Sequence, residues 1–341
     1  MRVAMYYNNN DVRLQELPKP KIKDGEILVK VHASGICGSD VMEWYRIKKA
    51  PLVLGHEITG EIAEIAPEVE NCKVGDRVFV SHHVPCNTCK YCLNGHHTAC
   101  DTLHTTNYDP GGFSEYIRVP KINMDCGVFK LPAEISYEDG TFIEPLACVA
   151  RGQNKANFRK GQTVLILGGG ISGILHLLLA RSSGADKIIV TDINEYRLKT
   201  AKEMGADFVL DARQDVPSFV KKVNQGSLAD LVIVCAGSMS AFEQAIKSVD
   251  SGGTILCFAT TQPGVDLKIP LNEFWRNEIT ILPSYGAAPD DIETAIGLIK
   301  DKKVKVNKMI TDRLALKDAG LGFKFVSEGK RSLKVIIEPQ K

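Results

Sequence analysis

The sequence lacks an excess of charge of either sign and any long apolar run. It carries 42 Lys and Arg residues against 41 Asp and Glu residues, a formal net charge of +1, and the basic residues form no long block. Nucleic acids and anionic membrane surfaces select a concentrated positive surface, so neither is expected as a partner. No apolar stretch is long enough to cross a bilayer. A small-molecule substrate is therefore expected.

The sequence also lacks the marks of a secretory leader, since residues 1–7 contain neither an apolar core nor a small-residue cleavage site. This predicts a cytoplasmic location, in which the ten cysteines stay reduced. A tight group of cysteines in such a chain indicates a metal site before it indicates disulfides.

A chain of 341 residues predicts two domains. Short apolar runs separated by turns, from residue 1 to about 80, predict a mostly β domain. From about residue 160 to 258 the pattern changes to short apolar strands separated mostly by helices, which predicts a doubly wound parallel sheet. The strands expected there are 164–167, 188–191, 208–210, 231–235 and 254–258. Together these patterns predict an α/β fold.

Four cysteines have the spacing of a closed metal site. Cys86, Cys89 and Cys92 are separated by gaps of one tight turn, and Cys100 follows. Four thiolates leave no open coordination position, so this group is predicted to hold a structural zinc ion. With that shell complete, the nearby histidines are assigned to solvated or loop positions; they are His82, His83, His96, His97 and His104.

Two glycine-flanked loops carry further candidates. Residues 34–40 present Cys37 and Ser39, and residues 54–60 set His56 beside Glu57. Each loop alone is weak evidence, because a free cysteine is most often a small buried residue and a lone histidine is most often structural.

Glu144 stands in an apolar neighbourhood just before a helical stretch, with a proline after it. Proline suits a first helical position. A glutamate among apolar residues needs a partner, so Glu144 either binds a cation or caps the helix.

The first strand of the parallel sheet runs into a glycine-rich turn that opens a predicted helix over 171–181. The turn fits G-x-G-x-x-G, a pattern that lets a pyrophosphate approach bare backbone at a helix N-terminus. The candidate coenzyme-binding residues here are Gly168, Gly170, Ile171, Ser172 and Gly173.

Asp192 ends the second strand, where an acceptor for a ribose 2′-hydroxyl belongs. Its charge would repel a 2′-phosphate, which favours NAD over NADP. Arg197 follows closely and is a basic residue that softens this discrimination.

The combination resembles the zinc-dependent medium-chain dehydrogenase family, in its polyol and threonine dehydrogenase-like branch. The motifs that carry the resemblance lie at residues 35–40, 55–60, 86–100, 111–116, 144–146 and 168–173. The resemblance implies a GroES-like catalytic domain over 1–147 with a zinc lobe at 82–104, a Rossmann domain over 148–280, and a segment over 281–341 that returns to the first domain. It also implies two zinc ions, NAD, and a homodimer or homotetramer, for which a strand at 279–282 is the candidate contact.

The family implies a catalytic zinc in the cleft between the domains, held by Cys37, His56 and Glu144. In some relatives the glutamate after the histidine binds instead, so Glu57 competes with Glu144. Thiolate, imidazole and carboxylate leave one position open for an alcohol oxygen, on which zinc acts as a Lewis acid.

The hydroxyl of Ser39 matches the family's first proton relay. Where many relatives carry a histidine that takes the proton onward, this chain has Met42, and a thioether cannot shuttle protons. Bound water, the nicotinamide ribose or Glu43 are the remaining routes.

Trp44, Tyr45 and Arg46 follow the Cys37 loop and are candidates to line the mouth of the substrate pocket. Arg46 either pairs with an anionic substrate group or is a solvated surface residue. The branch favours secondary alcohols of polyols or sugars first and a threonine-like 3-hydroxy acid second. A physiological ketone or aldehyde reductase is an alternative, and a zinc-ribbon protein that senses redox state is a remote one.

Overall fold

In a computed structural model that describes residues 1–341, the chain divides into two compact units. Unit 1 comprises Met1–Ala147 and Ala287–Lys341, and unit 2 comprises Cys148–Gly286. None of the helices combines the length and apolarity that a bilayer crossing requires.

Unit 1 is built mainly from antiparallel strands. One sheet has the order β2-β1-β4, and the larger one has the order β15-β16-β3-β5-β6-β8 with β7 also paired to β3. The strands are β1 (Arg2–Asn8), β2 (Asp11–Glu16), β3 (Ile27–Gly35), β4 (Leu52–Val53), β5 (Glu57–Ile65), β6 (Arg77–Val80), β7 (Tyr116–Val119), β8 (Val128–Lys130), β15 (Ile310–Ala315) and β16 (Lys334–Glu338).

Most helices of unit 1 are short connections. They are α1 (Glu43–Arg46), α2 (Lys90–Leu93), α3 (Asp101–Thr105), α4 (Lys121–Cys126), α5 (Tyr137–Gly140), α12 (Pro289–Lys300) and α13 (Ala319–Glu328). Single 3-10 turns lie at Gly38–Val41, Ile47–Lys49, His97–Ala99, Asn307–Met309 and Leu316–Asp318. Helix α6 (Ile143–Lys155) begins in unit 1 and ends in unit 2.

Strand β3 organises unit 1, because it pairs with β5, β7 and β16. Its Ile27, Val29 and Val31 are fully buried with Ile58 and Ile62 of β5. Each such side chain contributes about 1.5–3 kcal/mol relative to exposure. The Cys37 loop therefore follows a well-buried strand, and the His56 loop leads into another.

Unit 2 is a six-stranded parallel sheet in the order β11-β10-β9-β12-β13-β14. Its strands are β9 (Thr163–Leu167), β10 (Lys187–Asp192), β11 (Phe208–Asp211), β12 (Ala229–Val234), β13 (Val249–Cys257) and β14 (Thr280–Pro283). Its helices are α7 (Ile171–Ser182), α8 (Glu195–Glu203), α9 (Val216–Val223), α10 (Met239–Ser248) and α11 (Leu271–Arg276).

This strand order is the doubly wound one, with its switch point between β9 and β12, where such folds bind dinucleotides. All five residues of β9 are buried, as expected for a strand covered on both faces. The predicted α/β class, with a mostly β domain and a doubly wound domain, is confirmed. The largest boundary difference is β13, which begins at Val249, before the predicted apolar run, because its first part contains two glycines.

Candidate active site and a separate cysteine cluster

Cys37 is held by the tight turn that follows β3. It caps the 3-10 turn Gly38–Val41, its backbone N–H donates to Asp40 Oδ2 at 3.0 Å, and its Sγ accepts the N–H of Ser39 at 3.4 Å. The backbone of the turn thus fixes the direction of the sulfur and offers it a hydrogen bond that favours a thiolate.

His56 is placed by the glycine before it. Gly55 has φ +94°, and a Cβ there would lie 2.8 Å from the backbone nitrogen of Phe113, so only glycine fits. The next residue after His56 begins β5. The imidazole is therefore fixed at the start of a fully buried strand segment.

Asp40 supports His56 from a fully buried position. Its Oδ1 lies 3.3 Å from His56 Nδ1 and 3.6 Å from Arg46 Nη2. Desolvation opposes the charged imidazole, but the charges of Asp40 and Cys37 outweigh it and raise the pKa of His56 well above 6.5. A site that holds a proton this strongly attracts positive charge, and a carboxylate on one ring nitrogen leaves the other for a metal.

Cys37, His56 and Glu57 converge. One candidate ligand atom from each lies within 4.8 Å of the others. Glu57 Oε1 is buried without a hydrogen-bond partner, which is costly unless a cation faces it. A thiolate, an imidazole and a carboxylate with one position left open fit a catalytic zinc ion.

The second oxygen of Glu57 is paired with Lys334. Lys334 Nζ donates to Glu57 Oε2 across 277 residues of sequence, and both side chains are essentially fully buried. The ammonium also lies 5.2 Å from the ring centroid of Phe142. This cation neutralises the carboxylate in the absence of a metal, which a buried charge requires.

Glu144 lies in the first turn of α6 and is partly exposed. Its charge, like those of Asp40 and Glu57, acts on the buried Tyr108, whose pKa is raised well above 10.0 chiefly by desolvation. The Tyr108 hydroxyl donates to Gly55 O at 3.2 Å. Glu144 thus belongs to the same neighbourhood as the convergent group.

Ser39 is bound by Arg46. The guanidinium donates from Nε to Ser39 O at 2.9 Å and from Nη2 to Ser39 Oγ at 3.1 Å, and the Arg46 side chain is 15% exposed. Arg46 is therefore neither a solvated surface residue nor an uncommitted cation, because Ser39 and Asp40 already engage it.

His82 lies in a loop, as expected, and is partly exposed, but its ring contacts that of the candidate ligand His56. Its ring packs against that of His56 with centroids 4.8 Å apart and against that of His83 at 3.8 Å. Its Nδ1 is buried without a partner. Desolvation, with the positive neighbours His83, His56 and Arg46, holds the pKa of His82 well below 6.5. Of the other predicted bystanders, His96 and His104 are exposed.

The four cysteines of the lobe also converge. Cys86, Cys89, Cys92 and Cys100 bring their sulfurs within 4.8 Å of one another, with Sγ–Sγ distances of 3.5 Å for Cys89–Cys92 and 3.6 Å for Cys86–Cys100. A tetrahedral zinc with Zn–S bonds of about 2.3 Å needs sulfurs about 3.8 Å apart. The arrangement fits a zinc ion with little movement.

Proton affinities within the lobe diverge. Hydrogen bonds from Thr88 and backbone amides lower the pKa of Cys86 to about 5, whereas desolvation and neighbouring thiols raise that of Cys92 to about 12. Crowded thiols cannot all ionise without a cation. A divalent ion removes this conflict.

The glycine-rich turn connects β9 to α7. Gly170 caps α7, where a Cβ would meet only the guanidinium of Arg197, at 3.8 Å, and a Cβ on Gly173 would collide with the carbonyl of Gly168. Ile171 and Ser172 begin the helix, so their N–H groups point out of its N-terminus. This is the geometry that a pyrophosphate requires.

Asp192 ends β10 beside this turn. Its Oδ2 accepts the N–H of Gly169 at 2.8 Å, and its Oδ1 accepts that of Asn194 at 2.9 Å. Arg197 Nη1 lies 3.6 Å from Asp192 Oδ2. The sequence-predicted acidic and basic residues thus form one contact pair at the end of the strand.

Sequence reasoning missed three residues of the site: Asp40, His82 and Lys334. Only Lys334 left a usable signal, because a lysine opens the apolar run Val335–Ile337 of β16, and a charge in a buried strand implies a buried partner. Asp40 and His82 owe their roles to contacts that the sequence alone does not display.

The two units and the two clusters together define a class: a zinc-dependent dehydrogenase with a GroES-like domain and a Rossmann domain. Residues 23–133 match the alcohol dehydrogenase GroES-like domain, and residues 173–301 match the zinc-binding dehydrogenase family. The chain belongs to the zinc-dependent medium-chain dehydrogenase family, in its polyol dehydrogenase branch.

Three similar proteins support this placement. A sorbitol dehydrogenase of Bacillus subtilis is 32% identical over 100% of this chain and 98% of its own length. A 2R,3R-butanediol dehydrogenase of the same organism has a TM-score of 0.87 at 26% identity and covers 99% of each chain. A zinc-binding dehydrogenase of Sinorhizobium meliloti bound to NADP has a TM-score of 0.88 at 27% identity, again over 99% of each chain. The chain is thus similar to these dehydrogenases over nearly its whole length.

Proposed function

We propose that the chain oxidises a secondary alcohol of a polyol or sugar-derived substrate to the ketone, with NAD as the hydride acceptor. The observation that carries the proposal is the open, three-member group of Cys37, His56 and Glu57 alongside a separate closed cluster. A closed four-thiolate shell has no place for a substrate, whereas a three-ligand shell does. The likeness to a sorbitol dehydrogenase and to a butanediol dehydrogenase supports vicinal diols and polyols as the substrate class.

In this proposal Cys37, His56 and Glu57 hold the catalytic zinc, because the orphaned Oε1 of Glu57 belongs to their group. Glu144 is the competing carboxylate. When bound, zinc supplies Lewis-acid polarisation of the substrate oxygen. Unit 1 carries the catalytic residues, and unit 2 binds the coenzyme.

Ser39 is the first acceptor of the substrate proton. Arg46 fixes its hydroxyl and places a permanent positive charge beside the oxygen, which stabilises negative charge there while the proton leaves. Met42 cannot take the proton onward, so bound water, the coenzyme ribose or Glu43 completes the route.

Gly168, Gly170, Ile171, Ser172 and Gly173 hold the coenzyme pyrophosphate, and Asp192 accepts the ribose hydroxyls. A buried carboxylate at this position opposes a 2′-phosphate, although Arg197 beside it tempers that effect. One structural relative was solved with NADP, so the ratio of kcat/KM for the two coenzymes is the direct test. A ratio that favours NADP overturns the NAD assignment.

Two variants test the metal assignment. Glu57→Gln is expected to lose one of two zinc ions per chain, and Glu144→Gln is expected to keep both. Zinc is counted by elemental analysis of purified protein, with a thermal melting curve for each variant. The opposite pattern makes Glu144 the ligand. If the wild-type protein holds only one zinc ion per chain, the assignment of a catalytic zinc site is wrong.

An activity panel tests the reaction itself. Sorbitol, xylitol, butane-2,3-diol, butan-2-ol and threonine are offered with NAD, and the matching ketones with NADH. Turnover of polyols supports the proposal, whereas exclusive turnover of threonine makes the chain a threonine dehydrogenase. Failure with every alcohol and ketone refutes it.

Assembly and location complete the proposal: a cytoplasmic homodimer, or a homotetramer built from dimers. Strand β14 forms one edge of the parallel sheet, and Leu271 and Trp275 on the preceding helix are 76% and 74% exposed. An edge strand beside apolar side chains favours pairing with a second copy. Sedimentation of the wild type and of Trp275→Glu tests this, and a wild-type monomer contradicts it.

A further inference from the structure

His82 packs against His56 of the Cys37, His56 and Glu57 group, but it has no role in the proposed reaction. It follows β6 after Ser81, and its backbone is locked. The fully buried Asn123 donates from Nδ2 to His82 O at 3.0 Å and to Ser81 O at 3.1 Å. The ring is held as well, because it lies against His56 on one side and His83 on the other.

One nitrogen of this ring is left unsatisfied by the protein. His82 Nδ1 is buried and has no hydrogen-bond partner. A buried, unpaired donor or acceptor is expensive, so such an atom in a rigid place needs an explanation. The residue as a whole is partly exposed.

We propose that His82 is a specificity-determining residue, whose imidazole hydrogen-bonds a substrate hydroxyl adjacent to the carbon that is oxidised. This inference rests on the proposed function, since it places the reacting oxygen at the Cys37, His56 and Glu57 group. A hydroxyl on the neighbouring carbon is then expected within reach of the His82 ring, because that ring packs against His56. A neutral imidazole donates at one nitrogen and accepts at the other, which matches a hydroxyl.

The proposal separates two substrate classes. Vicinal diols and polyols provide the second hydroxyl, whereas butan-2-ol places a methyl or methylene group there. A site built to hydrogen-bond a hydroxyl discriminates against the analogue that lacks it, because the polar group of the protein is left unpaired.

The test compares the two classes on zinc-loaded protein with saturating NAD. His82→Phe keeps an aromatic ring of similar shape and removes both nitrogens. It is expected to lower kcat/KM for sorbitol or xylitol by about tenfold or more, and to leave that for butan-2-ol unchanged or raised. His82→Asn retains an amide near the Nδ1 position and is expected to restore part of the polyol activity.

His83→Phe is the matched control. It alters the same ring stack without touching the orphaned nitrogen, so a packing effect lowers kcat/KM for both alcohols equally. Zinc content and melting temperature are measured for each variant. If His82→Phe does not fold, His82→Ala, which only shortens the side chain, takes its place in the comparison.

Three results for His82→Phe overturn the inference. They are an equal fall in kcat/KM for the polyol and for butan-2-ol, an unchanged kcat/KM for the polyol, and the loss of a zinc ion, which would make His82 a ligand. If the wild type oxidises butan-2-ol but no polyol, the inference fails while a secondary-alcohol dehydrogenase remains. If the wild type oxidises neither alcohol, the proposed function fails as well.

Discussion

The closed cysteine cluster and the open Cys37, His56 and Glu57 group differ in how their charge is balanced. In the closed cluster the sulfurs meet mainly one another and backbone amides. In the open group two of the three members have a charged protein partner, Asp40 for His56 and Lys334 for Glu57, and the sulfur of Cys37 accepts the N–H of Ser39. The closed site therefore depends on its metal for structure, whereas the open site is pre-formed without it. A catalytic metal site benefits from this arrangement, since its geometry survives changes in ligation.

The largest effect is expected from removing one thiolate of each cluster. Cys37→Ser should lower kcat by at least about 10²–10³-fold, because metal polarisation is worth several kcal/mol, with little change in melting temperature. Cys92→Ser should lower the melting temperature sharply, because structural zinc contributes directly to folding free energy.

Both of these variants should lose one zinc ion by elemental analysis, and Cys72→Ser, a free thiol outside both clusters, should lose none. Equal melting temperatures for Cys37→Ser and Cys92→Ser contradict the proposed difference.

Lys334→Met tests the balance of the open group. Removing one partner of a buried ion pair costs about 3–5 kcal/mol, because Glu57 is left with an uncompensated charge. Zinc restores a positive charge beside that carboxylate, so the loss should be larger in chelated protein than in zinc-loaded protein. Urea unfolding measures both.

The control for Lys334→Met is Lys19→Met, which breaks an exposed ion pair with Glu64. Exposed pairs contribute about 0–1 kcal/mol, so this variant should unfold almost like the wild type. A Lys334→Met loss that does not depend on zinc shows that the lysine has no electrostatic role toward the site.

Features whose residues lie close together in the sequence are predictable from it, whereas contacts between distant residues are not. The closed cluster lies within fifteen residues, from Cys86 to Cys100, so its spacing alone predicts its geometry. The glycine-rich turn and Asp192 are predictable for the same reason, since β9, the turn, α7 and β10 follow one another. The family resemblance then supplied Cys37 and His56.

A lysine at the start of an apolar strand indicates a buried partner for Lys334, but that partner lies 277 positions away, so no local pattern identifies it as Glu57. His82 was missed for another reason. It was assigned to a solvated or loop position because the nearby cysteine shell was complete, and the loop after β6 does hold it, but its ring packs against His56. Proximity in sequence to one cluster concealed its contact with the other.

A smaller effect is expected at Asp40. Asp40→Asn keeps the shape but removes the charge that faces His56. Partners of metal-binding histidines typically contribute about 10–100-fold to metal affinity or activity. Zinc competition with a chelator should show this loss for one of the two ions only. If both ions weaken equally, Asp40 acts on the overall fold and not on the open group.

The smallest effect is expected on stability at low pH. Acid removes metal from both clusters, and this loss must be separated from the effect of a buried histidine in unit 2. Burial lowers the pKa of His176 from 6.5 to about 3, with its Nδ1 3.2 Å from Gln153 Nε2. Below about pH 6.5 the unfolded chain binds a proton that the folded chain refuses, so stability falls as the pH drops toward the folded pKa.

This loss amounts to about 1.4 kcal/mol at about pH 5.5. His176→Gln should remove that part of the pH dependence, as read from urea midpoints at pH values of about 7 and 5.5. An unchanged slope assigns the acid response to the metal clusters instead.

The ion pair of Glu57 and Lys334 also sets an order in time. During synthesis the chain grows by about 5–20 residues per second, so the 277 residues between them take tens of seconds to make. The cysteines of the closed cluster emerge together and can take up their zinc early. The carboxylate of the open group has no counter-charge until β16 pairs with β3. A partly made chain can therefore be held together by one metal ion long before the second site is complete.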